Sequence, residues 1–189
     1  MSKVSIIYYS QGGTTAALAQ AVSKGVVASG ASADVISIEP THFDNGRWQN
    51  EAILKQLSES DAIVFGAPTF MGGVAAQFKA FADATGHIWY GRGWCGKLAG
   101  GFTISGSASG DKLHSLQYFS ILAAQHGMVW ANWDELPRQA DGTNQLGAFL
   151  GFMGVNPADP GTPPGLSEGD ALSGEKYGRY IGKLAQRMN

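Results

Sequence analysis

From Lys3 to Tyr9 the chain is a run rich in β-branched and aromatic residues, and it stops abruptly at Ser10-Gln11-Gly12-Gly13. From Thr14 the apolar period changes: Leu18, Val22 and Val26 recur every fourth residue until Gly30. A buried strand, a turn and a helix account for this change of period. The alternation continues downstream. Ala33–Ile38, Ala62–Gly66 and Leu98–Ile104 read as strands, the last weakened by Gly100 and Gly101, and Met128–Trp130 reads as the start of a fifth. Between them, Glu51–Leu57, a segment with Val74, Phe78 and Phe81, and a segment with Leu113, Leu116, Ser120, Ile121 and Ala124 read as helices. Tyr177, Ile181, Leu184 and Met188 mark a terminal helix, preceded by a glycine- and proline-rich extension, Arg138–Ser167, with no clear strand. Strands alternating with helices imply a mostly parallel α/β sheet covered on both faces.

Five strands in 189 residues suit one doubly wound domain with the flavodoxin-like strand order 2-1-3-4-5. In that order strands 1, 3 and 4 are neighbours, and their carboxyl-end loops gather at the switch point where ligands bind. The first loop is Ser10, Gln11, Gly12, Gly13, Thr14 and Thr15. The second is Pro68, Thr69, Phe70, Met71 and Gly72 with Gly73. The third is Ser105, Gly106, Ser107, Ala108, Ser109 and Gly110. The first lies between strand and helix, where unpaired N–H donors and the helix dipole suit a phosphate. It holds no Lys or Arg, so a phosphate there is held by neutral donors; an ordinary glycine turn capped by Thr14 is the plainer alternative. The other two loops offer backbone donors and small side chains to a flat, polar-edged ring. Phe70, Met71 and the aromatics between Trp89 and Trp94 could wall it. A phosphate beside a planar ring describes flavin mononucleotide (FMN).

Other chemistries find no support. No G-x-x-x-x-G-K-[ST] string exists, and Gly12-Gly13 does not extend to G-x-G-x-x-G. Ala108 stands where a G-x-S-x-G elbow starting at Gly106 needs serine. His42, His87, His114 and His126 show no metal-binding spacing, and Cys95 is the single cysteine. A net charge of −2 argues against an electrostatic nucleic-acid binder, and no run approaches the ~18 apolar residues of a membrane span. The expectation is a soluble cytoplasmic protein.

On these residues the chain resembles flavodoxin-like FMN proteins, and most closely the WrbA-type NAD(P)H:quinone oxidoreductases. The resemblance rests on Val4–Ser10 with Gly13, Ala62–Thr69, and Gln77–Phe81 with Asp83, Thr85-Gly86 and Trp89. It extends through Gly96–Ala99, Ser105-Gly106-Ser107 and Ala124–Met128, spanning residues 3 to about 130. It implies that Ser10–Thr15 hold the FMN phosphate, that Thr69, Phe70 and Met71 face the isoalloxazine, and that Ser105–Gly110 run along its other polar edge. His126 matches a histidine near the flavin, a catalytic candidate that could hydrogen-bond the flavin edge or a quinone oxygen or donate a proton, and Trp89 an aromatic bordering the substrate pocket across a subunit interface. The implied reaction passes two electrons from NADH or NADPH through FMN to a quinone-like acceptor by a ping-pong mechanism, in a homodimer or homotetramer. Three departures stand out. Gly12 replaces a tyrosine that shapes the nicotinamide site, Phe70-Met71 replaces a basic-aromatic pair, and Arg138–Ser167 lacks the usual TPYG-type segment.

Individual residues also have plainer readings. His126 can be a helix C-terminal histidine favoured by the dipole. Cys95 reads as a buried or interface thiol, and Lys79 and Lys112 as solvated helix charges. Tyr8 and Tyr9 read as packing on opposite sheet faces, and Trp130 and Trp133 as packing under the extension. Two rival functions remain open: a flavodoxin-type one-electron carrier, and a flavin-free binding protein on the same fold. Carriers of that type are typically strongly acidic, which this chain is not.

Overall fold

The structure is a computed structural model describing residues 1–156 and 165–188. Residues 157–164 of the extension lie outside the described residues. The chain runs β1 (Lys3–Tyr8), α1 (Thr14–Ala28), β2 (Ser32–Ser37), then a small hairpin of β3 (Phe43–Asp44) and β4 (Arg47–Trp48), and α2 (Glu51–Ser58). It continues with β5 (Ala62–Phe70), β6 (Gly73–Val74), α3 (Ala76–Ala84), α4 (Gly86–Tyr90), β7 (Leu98–Ser105) and α5 (Lys112–Gln125). It closes with β8 (Val129–Trp130), β9 (Phe152–Val155) and α6 (Glu168–Met188).

The main sheet has the order β2-β1-β5-β7-β8, and every pairing along that path is parallel. The expected order is therefore observed. Because helices cover both faces, the central strands are buried throughout rather than alternately. Ile7, Ile63 and Phe65 pack with Trp48, Phe78, Phe81, Trp94 and Phe119 on one side. Val4, Ile6, Val64 and Phe102 pack with Leu18, Val22, Val26, Tyr177 and Ile181 on the other. Tyr9 joins the first cluster and Tyr8 the second, as two successive strand side chains should.

Three expectations need correction. The second loop is not a loop: β5 runs on through Phe70 and folds back on β6 with Thr69 opposite Val74 and Phe70 opposite Gly73. Met71 (φ 49°) and Gly72 (φ 76°) form its two-residue turn, the left-handed pair that a tight hairpin requires. The extension does contain a strand. β8 pairs only with Leu98 and Ala99 of β7, and β9 takes over along Phe102–Ser105. The fifth strand position is thus filled by two pieces, with residues 131–151 inserted between them. At the join Gly101 N–H finds no strand partner, and the fully buried Tyr177 hydroxyl accepts it at 2.9 Å. The inserted segment is fastened through Trp130, which donates to Leu150 O, and Trp133, which packs edge-on against Phe152 and Tyr177. Finally, the residue capping α1 is Gly13, not Thr14.

Candidate functional site

A cleft of about 420 Å³ opens at the carboxyl ends of β1, β5 and β7. Its first wall is Gln11, Gly12, Thr14 and Thr15. Ser10 Oγ sits beneath them, accepting from Gly13 N–H and Ala16 N–H at 3.1 and 3.2 Å, and so holds the turn shut. Gly13 at φ 89° starts the 15-residue α1 with no side-chain cap. Among the described residues, none accepts from the backbone N–H groups of Gly12, Thr14 or Thr15, and neither threonine hydroxyl has a partner. A Cβ added at Gly12 would meet nothing within 4 Å. Open space, unpaired donors and a helix N-terminus form a receptor for an anion that only accepts hydrogen bonds.

The second wall is Pro68, Thr69 and Phe70. The Thr69 hydroxyl is engaged from behind. Thr103 donates to Ala67 O, so Thr69 donates to Thr103 and Ser115 donates to Thr69, each hydroxyl contact at 2.7 Å. Its side chain therefore stiffens the wall, leaving backbone atoms and the half-exposed Phe70 ring to face a ligand. Met71 and Gly72 do not line the cleft. They form the hairpin tip, which His114 Nδ1–H holds through Gly72 O at 2.7 Å.

The third wall is Ile104, Ser105 and Gly106, with Asn156 beside them. Ser107, Ala108, Ser109 and Gly110 are not in the lining; they curl around Lys112. That lysine is fully buried, contrary to the expectation of a solvated charge. Its Nζ donates to Ser105 Oγ (2.8 Å), Ser107 O (2.7 Å) and Ala108 O (2.9 Å). Burial holds its pKa below the ordinary lysine value, partly opposed by Asp170. Gly110 is glycine for a local reason: a Cβ there would collide with Ser105 Oγ.

Trp89 and His126 lie elsewhere. His126 ends α5 just before β8, whose Val129 pairs with Leu98 at the amino end of β7. The cleft is at the other end of that eight-residue strand, roughly 23 Å away at 3.3 Å per residue. His126 is buried, bonded through Nε2 to Thr85 Oγ1 at 2.9 Å and stacked on Trp94, with Nδ1 unpartnered. Burial pushes its pKa down to about 4. Trp89 sits half-exposed on α4, near that same end. Cys95, expected to be buried or at an interface, is exposed within the chain, and Arg92 donates to its sulfur.

Sequence reasoning missed Ile104, Asn156, Lys112 and His114. Asn156 follows β9, so the carboxyl-end rule that located the three loops would have found it had that strand been seen. Two other cavities, of about 510 and 380 Å³, adjoin the β3–β4 hairpin and α3. The larger mixes Arg47 with Glu51 and Asp83, and the smaller lies at the start of α3 among Tyr9, Pro40 and Phe43. Neither joins the carboxyl ends of β1, β5 and β7, so the three-loop cleft remains the candidate. Among the described residues there is no group of metal ligands and no helix long and apolar enough to cross a membrane.

The cleft's donors fit FMN: an anion receptor without side-chain charge lies beside a slot between Phe70 and the third loop. Comparisons with known proteins agree. A family model described as NADPH-dependent FMN reductase matches residues 2–136. Flavodoxin FldP of Pseudomonas aeruginosa is 35% identical over the whole of both chains. A Rhizobium johnstonii protein named NAD(P)H dehydrogenase (quinone) is 31% identical, again over the whole of both. Among solved structures, a flavodoxin, WrbA-like protein from Agrobacterium tumefaciens superposes with a TM-score of 0.76 at 32% identity, covering 100% of each chain. A flavodoxin from the domain Archaea superposes with a TM-score of 0.66 at 19% identity over 97% of this chain and 99% of the other, a likeness of fold alone.

Proposed function

The chain belongs to the NADPH-dependent FMN reductase family, and from that premise we propose that it is an FMN-dependent NAD(P)H:quinone oxidoreductase of the cytoplasm. When bound, FMN supplies the two-electron chemistry; the protein binds, orients and tunes it. Gly12, Thr14 and Thr15 hold the phosphate with neutral donors at the α1 N-terminus. Pro68, Thr69 and Phe70 form one side of the ring slot, and Ser105 and Gly106 the other. One open face then serves both substrates in turn, NADH or NADPH first and a quinone-like acceptor second, which makes the kinetics ping-pong. Relatives named NAD(P)H dehydrogenase (quinone) support the choice of reaction. The single observation that carries the reading is the meeting of three donor-rich strand ends in one cleft.

His126 and Trp89 join this reading only through assembly. In one chain they lie at the far end of the sheet from the cleft, so a homodimer or homotetramer must bring them to a neighbouring copy's flavin. A second reading, a flavodoxin-type one-electron carrier, draws support from the full-length similarity to Flavodoxin FldP.

The purified protein is expected to be yellow, or to become so with added FMN. It is expected to oxidise NADH or NADPH with benzoquinone, giving parallel double-reciprocal lines. A protein that stays colourless with FMN overturns the flavin reading. Flavin binding without turnover on either nicotinamide overturns the oxidoreductase and leaves the carrier.

A further inference from the structure

The third loop raises a question that the cleft lining leaves unanswered: why a lysine, one of the costliest side chains to bury, is fully enclosed immediately behind it. The Lys112 ammonium uses its three protons on Ser105 Oγ, Ser107 O and Ala108 O. All three acceptors are neutral. Among the described residues no carboxylate reaches Nζ within ion-pair distance. The facing acid is Asp170 on α6, whose carboxylate is itself engaged by Val155 N–H at 2.9 Å. A positive charge thus stands one side chain behind Ser105, a residue of the cleft wall.

The bonds also set the direction of the loop. Every peptide here is trans, so a carbonyl and the following N–H point opposite ways. With the Ser107 and Ala108 carbonyls drawn onto Nζ, the Ala108 and Ser109 N–H groups are turned outward, away from the ammonium. The lysine therefore orients two backbone donors and adds its own field to theirs.

We propose that Lys112 is a positioning residue that sets the reduction potential of the bound flavin. This rests on the FMN reading above. A hydride transferred from the nicotinamide brings two electrons and one proton to the flavin, leaving it one unit more negative while the nicotinamide leaves as the oxidised cation. A fixed positive charge in a low-dielectric wall favours that more negative form over the oxidised one. Removing it lowers the midpoint potential. Removing the opposing charge of Asp170 raises it.

The test is a potentiometric titration of FMN bound to wild type, K112M, K112R and D170N, alkaline of neutrality, with the dissociation constant of oxidised FMN measured separately by fluorescence. K112M is expected to bind reduced FMN about tenfold less well relative to oxidised FMN, a fall of about 30 mV for a two-electron couple. K112R is expected to restore the wild-type potential, and D170N to shift it upward. Loss of packing alone has no reason to move the two charge changes in opposite directions. Potentials of K112M and D170N that match wild type, or that move the same way, overturn the proposal; should K112M fail to fold, the sign of the D170N shift decides it. Wild type that binds no FMN overturns the underlying reading instead.

Discussion

His126 shows how much a single residue's role depends on where its protons are. Thr85 spends its hydroxyl proton on Ala82 O at 2.7 Å. It can therefore only accept from His126, which fixes the proton on Nε2 and leaves Nδ1 as a buried lone pair. Protonating Nδ1 would place a charge and a new donor where no acceptor waits, which is why burial holds the pKa at about 4 instead of 6.5. Near neutrality the ring has no extra proton to give, so a proton-transfer role would need surroundings that one chain does not provide. The sign for stability follows. The unfolded chain takes up this proton near its ordinary pKa and the folded chain does not. The contribution is complete above that pKa and is lost as pH falls towards the folded value. At about pH 5 the loss is roughly 2 kcal/mol. Urea unfolding of wild type should weaken by that amount relative to H126Q between about pH 7 and 5, and parallel profiles for the two proteins would refute it. Histidine at a helix end was legible in the sequence; its tautomer was not, because it is set by Thr85, 41 residues away. Lys112 was misread for a similar reason: its acceptors are mostly main-chain carbonyls, which composition does not reveal.

At the scale of elements, the strands and helices that change period sharply were legible, and with them the strand ends that form the cleft. The hairpin at Thr69–Val74 was hidden because Met71-Gly72-Gly73 has the composition of any loop, and it is the left-handed backbone of both Met71 and Gly72 that makes it a turn. β9 was hidden because four residues between glycine- and proline-rich flanks carry too little pattern. The unexplained glycines of the C-terminal region belong partly to helix packing. Gly174, Gly178 and Gly182 recur every fourth residue of α6 and face α1. A Cβ at Gly178 would collide with the Val22 carbonyl, and one at Gly25 with the Glu175 carbonyl, so the two backbones touch directly. The excess of glycine is thus a device for close helix contact as well as for left-handed turns. G178A must push α6 off α1 and is expected to cost about 1–3 kcal/mol, read as a lower urea midpoint with an unchanged slope. A midpoint equal to wild type would mean that the helices separate at no cost.

For the whole molecule, the two ends of the sheet carry different halves of the proposed site. The carboxyl end holds the cleft, with Phe70 in its wall and the fully exposed Met71 on the adjoining hairpin tip. The amino end holds His126 and the exposed Trp89 and Tyr90. Both ends thus offer apolar surface to water, a pattern suited to contact between different patches of two copies. A site divided in this way makes a prediction that a self-contained one does not. W89A keeps its cleft but lacks the aromatic it would lend to a neighbour. T15D places a carboxylate where the phosphate should sit but keeps Trp89. Each is expected to lose most quinone reductase activity alone. Subunit exchange between them creates pairs in which an intact cleft meets an intact Trp89, so the mixture should exceed the sum of its parts, while light scattering reports a dimer or tetramer. Strictly additive activities, or full wild-type activity from a monomer, would place the whole reaction within one chain and remove both Trp89 and His126 from it.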